Sequence, residues 1–138
     1  SEVDGAPGPR VSISHSGGRA VAVVTARGRV GVDIEAVEPR HESFVREWFH
    51  DDEAAVHGGD PWKITAGWCA KEAVLKALGA GMALHPRDVR LRRVDRGALE
   101  VQLCEEVAAR AVSMRLGAPR FELRELEGVL LVWVLFEG

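Results

Sequence analysis

Cysteine is scarce in this chain: two in 138 residues, Cys69 and Cys104. One possible pair is no disulfide framework, and the two thiols lack the spacing of a metal knuckle. There is no excess of positive charge either. Eighteen Lys and Arg stand against 21 Asp and Glu, for a net charge of -3, with both signs mixed along the chain. Duplex binding needs a dominant basic surface, so nucleic acid is set aside as the main partner. Long apolar runs are missing: the longest, Val129 to Phe136, is far too short to span a bilayer. The first ten residues show no charged start followed by an apolar stretch, so no signal peptide is read there. Neither a G-x-x-x-x-G-K phosphate loop nor a nucleophile elbow occurs. These absences leave a chain with no membrane partner, in a reducing, cytoplasmic setting.

What is present is 46% apolar residues, enough for one domain with a real core. Residues 1–9 (SEVDGAPGP) read as a linker or tail, and the domain as residues 10–138. Val11 and Ile13 alternate with Ser12 and Ser14. A turn at Gly17-Gly18, a β-branched run over 20–25 and a strand from Val30 to Ile34 predict three short antiparallel strands. Phe44, Val45, Trp48 and Phe49 predict a short helix, and residues 53–57 another. Asp60-Pro61 is a cap residue before a proline at the first helical position. The long helix it opens runs to about Leu78 and closes at Gly79 and Gly81. Strands follow near 89–94 and 98–103, then a helix over about 105–116, then a hairpin of 121–126 and 129–136. Two nineteen-residue segments, Arg10–Gly28 and Arg120–Gly138, align without a gap, each turning at a glycine. The fold class is α+β, an antiparallel sheet packed on a long helix.

Three stretches carry chemistry. In GVDIE (31–35), Asp33 and Glu35 share one strand face while Val32 and Ile34 face the core. Paired carboxylates repel, and a divalent cation removes that penalty; magnesium takes one or two carboxylates plus water and phosphate. The plainer reading is two solvated acids. In WCAKEAVLKALG (68–79), Trp68, Glu72 and Lys76 form one helical stripe. A surface ion pair explains Glu72 and Lys76 but not the indole beside them. A third carboxylate with a lysine one turn away suits a metal-bound pyrophosphate. In SISHSGG (12–18), hydroxyls, glycine amides and His15 favour phosphate, although such residues also make ordinary turns.

Together SISH, GVDIE and WCAKEAVLKALG, with WFHDDEAAV (48–56) between, resemble the phosphopantetheinyl transferase superfamily over about residues 10–94. The Asp-x-Glu form resembles the larger surfactin-synthetase-activating type. That resemblance implies transfer of the 4′-phosphopantetheine arm of coenzyme A to a serine of an acyl or peptidyl carrier protein. It implies Asp33, Glu35 and Glu72 as magnesium ligands, Glu72 as base and Lys76 stabilising the leaving 3′,5′-ADP. Ser14, His15, Lys71 and Lys76 are implied in coenzyme A binding, and Trp68 under the site. The larger type is a pseudodimer; this chain resembles its second half plus the last hairpin of the first. The face toward the missing half is then covered by another copy, in a homo-oligomer, or by upstream domains of a synthase, or else the domain works smaller than its relatives. The smaller holo-acyl-carrier-protein synthase type has about this length, but keeps its histidine motif where this chain has RELEG (124–128). A polyketide or fatty acid synthase carrying its own transferase domain fits the linker-like start. Arg87, Arg90, Arg92, Arg93 and Arg96 are read either as a carrier contact patch or as a solvated hairpin. The alternatives are a degenerate carrier-binding module without catalysis and a different magnesium-dependent phosphate enzyme.

Overall fold

The computed structural model describes residues 10–79 and 84–138; the segment read as a linker (1–9) and Gly81, read as a helix stop, lie outside the described residues. The long helix α3 (Pro61–Leu78) starts as predicted, with Asp60 accepting from the Lys63 amide and proline in the first turn. It stops at Gly79, whose amide returns to the Lys76 carbonyl. Around it stand strands β1 (Arg10–Ser16), β2 (Arg19–Thr25) and β3 (Arg29–Ala36). Next come helix α1 (Glu42–Trp48), a 3-10 turn at Asp51–Glu53 and helix α2 (Ala54–His57). After α3 come β4 (Val89–Asp95), β5 (Ala98–Leu103), α4 (Glu105–Ser113), β6 (Arg120–Leu126) and β7 (Val129–Phe136). This is the expected α+β arrangement of antiparallel strands on one long helix.

The strands form three sheets: β1-β2, β3-β7-β6 and β4-β5. The three strands predicted at the start are present, but the third is not hydrogen-bonded into the sheet of the first two. β3 leaves the hairpin and pairs with β7 from Arg29 opposite Phe136 to Ala36 opposite Val129. Gly28 makes the departure possible. Its φ is +72°, and a Cβ there would stand 1.9 Å from the Phe136 carbonyl oxygen. The two aligned nineteen-residue segments both fold as hairpins. Gly17-Gly18 and Glu127-Gly128 all have positive φ, the conformation that two-residue hairpin turns demand.

Gly31 sets how closely α3 lies on β3, since a Cβ there would come within 1.8 Å of the Ala73 carbonyl oxygen. Two core clusters flank this contact. Phe49, Ile64, Cys69, Leu91, Leu130 and Val132 pack around one half of α3. Val74, Leu78, Val89, Val107, Val134 and Phe136 pack around the other. By strand alternation Asp33 and Glu35 share the face of Gly31, against α3. Val32 and Ile34 are buried on the opposite face, outside both clusters. The pairing of the two acids is as expected, but the main core lies on their side of the strand.

β1 reaches the free edge of β3 with side chains rather than backbone. Ser12 Oγ accepts from the Val32 amide at 3.0 Å, and Ser14 Oγ accepts from the Ile34 amide at 3.2 Å. The hairpin thus turns its serines inward and its apolar residues outward: Ile13 is 61% and Val24 65% exposed.

Candidate active site

The close approach of β3 and α3 puts Asp33 under the Glu72–Lys76 stripe. Lys76 Nζ donates to Asp33 Oδ1 at 3.2 Å and to the Val32 carbonyl at 3.0 Å. An ammonium has three N–H groups, so one remains for another acceptor. Ser14 Oγ donates to the same Asp33 oxygen at 3.2 Å. Asp33 Oδ2 is buried with no hydrogen-bond partner among the described residues.

Electrostatics ties the acids together. Burial pushes the Asp33 carboxyl above its ordinary value, against the pull of Lys76 and the Ser14 hydroxyl. Burial also raises Glu35, to about 7, helped by the neighbouring Asp33 and Glu72 charges and opposed by Arg40. Glu72 is raised too, first by burial and then by Asp33, with Lys76 opposing. The three carboxylates lie near enough to feel one another. They do not form a closed shell: among the described residues no three His, Cys, Asp or Glu side chains are placed to hold a metal ion. Asp33 has one oxygen committed to Lys76 and Ser14, so the shell expected from sequence is open at that point.

The donor set still fits a hard divalent cation in kind and charge. It offers carboxylate oxygens only, one of them buried and unpartnered, on three acids whose carboxyls burial pushes above their ordinary values. The Glu35 shift sets a pH dependence. Neutral Glu35 favours the fold fully below its ordinary value of 4.5, and that contribution is lost as pH rises through about 7. Glu35 is only partly buried and solvent screens it, so we expect metal-free protein to lose roughly 1–2 kcal/mol between pH 5 and 7.5. Urea midpoints across that range measure the loss, and Glu35→Gln should remove most of the slope.

The other expected residues separate. Ser14 is buried, and both its hydrogen bonds to β3 serve to position Asp33. His15 lies on the opposite, exposed face of the hairpin, away from the acids. Lys71, expected beside phosphate, does not reach the site. One residue along a helix is a rotation of about 100°, which turns Lys71 away from the Glu72 stripe and into the interior. It is fully buried, pairs with Glu53 at 2.9 Å, and donates to the Val89 and Pro86 carbonyls. Trp68 anchors α1, with its ring 4.9 Å from that of Phe44 and 5.4 Å from that of Trp48. The arginine run is no bare basic patch. Arg90 pairs with Asp52, Arg93 with Asp95 and Glu100, and Arg96 with Glu125, while Arg92 bonds Gln102.

Two neighbours of the acids escaped sequence reading. Arg40 bonds the Ala36 carbonyl at 2.6 Å and lowers Glu35 electrostatically. Cys69 lies fully buried beside Asp33 and Glu35, and burial, with those two acids, pushes its thiol well above the ordinary range. No sequence signal marks either: Arg40 follows a loop proline, and Cys69 reads as one more apolar helix residue.

No curated protein sequence matches this one. Solved structures do match in fold. The *Helicobacter pylori* holo-[acyl-carrier-protein] synthase in complex with coenzyme A gives a TM-score of 0.63 at 18% identity, covering 78% of this chain and 99% of that one. The *Plasmodium yoelii* acyl carrier protein synthase with ADP bound gives 0.67 at 18% identity, covering 81% and 96%. The *Neisseria meningitidis* holo-[acyl-carrier-protein] synthase gives 0.65 at 19% identity, covering 80% and 98%. The family model of the 4′-phosphopantetheinyl transferase superfamily matches residues 29–125, a stretch that holds Asp33, Glu35, Glu72 and Lys76 but not the serine hairpin. With that match across most of its length, the chain belongs to the 4′-phosphopantetheinyl transferase superfamily.

Proposed function

We propose that this protein transfers 4′-phosphopantetheine from coenzyme A to a serine of an acyl or peptidyl carrier protein, in a magnesium-dependent reaction at Asp33, Glu35, Glu72 and Lys76. The observation that carries the reading is the meeting of the Asp33 carboxylate, with its orphaned oxygen, and the Glu72–Lys76 stripe inside a member of this superfamily. Asp33, Glu35 and Glu72 would hold the cation, which supplies neutralisation of the pyrophosphate charge.

The protein's own residues do the rest by position. Glu72, whose carboxyl is raised toward neutrality, is suited to take the proton of the carrier serine hydroxyl. The serine oxygen bonds to the β-phosphorus of coenzyme A, and the bond from that phosphorus to the bridging oxygen breaks. The remaining Lys76 N–H faces the developing charge on 3′,5′-ADP. Ser14 and Lys76 hold Asp33 in one orientation from two sides. A carrier protein incubated with coenzyme A and magnesium should gain the mass of one phosphopantetheine in the presence of this protein. No gain with several apo carriers, acyl and peptidyl, would remove the assignment.

A further inference from the structure

The β1-β2 hairpin turns an apolar face to solvent. Val11, Ile13 and Val24 stand on it, with Ala20 and Ala22 exposed between them. The register sets Val11 opposite Val24 and Ile13 opposite Ala22, so the patch is contiguous. Contiguous apolar surface of this kind marks an interaction site.

The internal repeat says which kind of element fits there. The gapless alignment of Arg10–Gly28 with Arg120–Gly138 carries Val11, Ile13, Ala20, Ala22 and Val24 onto Phe121, Leu123, Leu130, Val132 and Val134. In the last hairpin those positions form the face that packs on helix α3. Among the described residues no helix packs on the same face of the first hairpin. Ala20 and Ala22 are smaller than Leu130 and Val132, which leaves room for a helix to lie close.

Helix α4 has a matching outer face. Val112 is 75% exposed, and Ala109, three residues before it, is exposed on the same side. Glu105 and Glu106 stand exposed in the first turn. The hairpin has the opposite sign: residues 10–28 include Arg10, Arg19 and Arg27 and no Asp or Glu. Of the five strongly exposed large apolar residues among those described, four therefore lie on two oppositely charged patches, which do not pack on each other within one molecule.

We propose that α4 of one copy docks on the β1-β2 hairpin of a second copy. Val112 and Ala109 meet Val11, Ile13 and Val24, and the two glutamates face the basic hairpin. The inference does not depend on the transferase reading. The two patches differ, so the contact is heterologous, and its repetition closes a ring or extends a chain. The hairpin face measures about 24 Å by about 10 Å, well short of the roughly 800 Å² per partner of a standard interface. The association is therefore weak, with a Kd on the order of 10–100 µM.

Sedimentation velocity of this chain between about 5 and 500 µM reads the association, and the mean mass should climb with concentration above that of one chain. Ile13→Glu and Val112→Glu alter exposed residues, so each should melt near wild type while weakening association at least about tenfold. Mixed, the two variants should recover a complex that stops at two chains, because the pair retains one intact hairpin and one intact α4. If either fails to fold, Ile13→Thr or Val112→Gln takes its place. A wild type that stays monomeric across the range overturns the proposal. So does Val112→Glu associating like wild type, which assigns the hairpin to another surface, and so does a mixture of folded variants that remains monomeric.

Discussion

Asp33→Asn is expected to cut transfer by about 10²–10³-fold while the protein stays folded. The carboxylate is where the site's parts meet: it takes the Lys76 ammonium and the Ser14 hydroxyl on one oxygen and leaves the other free. The amide keeps the shape and the acceptor on that side but removes the negative charge that a cation and Lys76 both need. Stability should hold or improve, because burial already disfavours the ionised form. Glu72→Ala should give a loss of similar size without touching Lys76's bonds to β3. Carrier mass gain and thermal melts, measured on the same samples, check both statements. Near wild-type transfer by folded Asp33→Asn would sink the proposed role of the acid.

The second large effect is on folding. Lys71→Met should destabilise the protein by about 3–5 kcal/mol, a fall in Tm on the order of 10–20 °C for a domain of this size. Glu53 is 1% exposed and completes the network: its oxygens accept from the His50 and Leu91 amides as well as from Lys71. Removing the ammonium leaves a carboxylate buried without its counter-charge. Adding Glu53→Gln to Lys71→Met should recover part of the loss, since the amide oxygen still serves a backbone N–H and no charge is stranded. At temperatures where both variants are folded, transfer should be close to wild type. A catalytic loss without a stability loss would instead put Lys71 at the phosphate.

That pair also shows where the sequence was legible and where it was not. The cap at Asp60-Pro61, the period of the helix and the turn glycines were all local, and each element they predict is present within a few residues. Asp33 and Glu35 on one face, and Glu72 with Lys76 one turn apart, follow from backbone geometry alone. What local pattern cannot give is the partner across space. Ser12 and Ser14 alternate with Val11 and Ile13 whichever side is buried, and only the free edge of β3 selects the serines. Lys71 and Glu72 are neighbours in sequence, and only the fold decides that Glu53 stands opposite one and Asp33 opposite the other. Arg40 gains its place beside Glu35 from a loop path that no spacing announces.

The pairing of β3 with β7 has a kinetic consequence. Arg29 meets Phe136 and Ala36 meets Val129, partners separated by about a hundred positions or more along the chain. Loops that long close slowly and are rewarded late, so the strand bearing Asp33 and Glu35 gains its place in the sheet only once β7 has docked. A chain in which residues 129–136 are not yet in place could form α3 and the β4-β5 hairpin, yet would have no organised acidic centre. Competence would thus arrive abruptly, with the docking of β7, rather than build up by degrees.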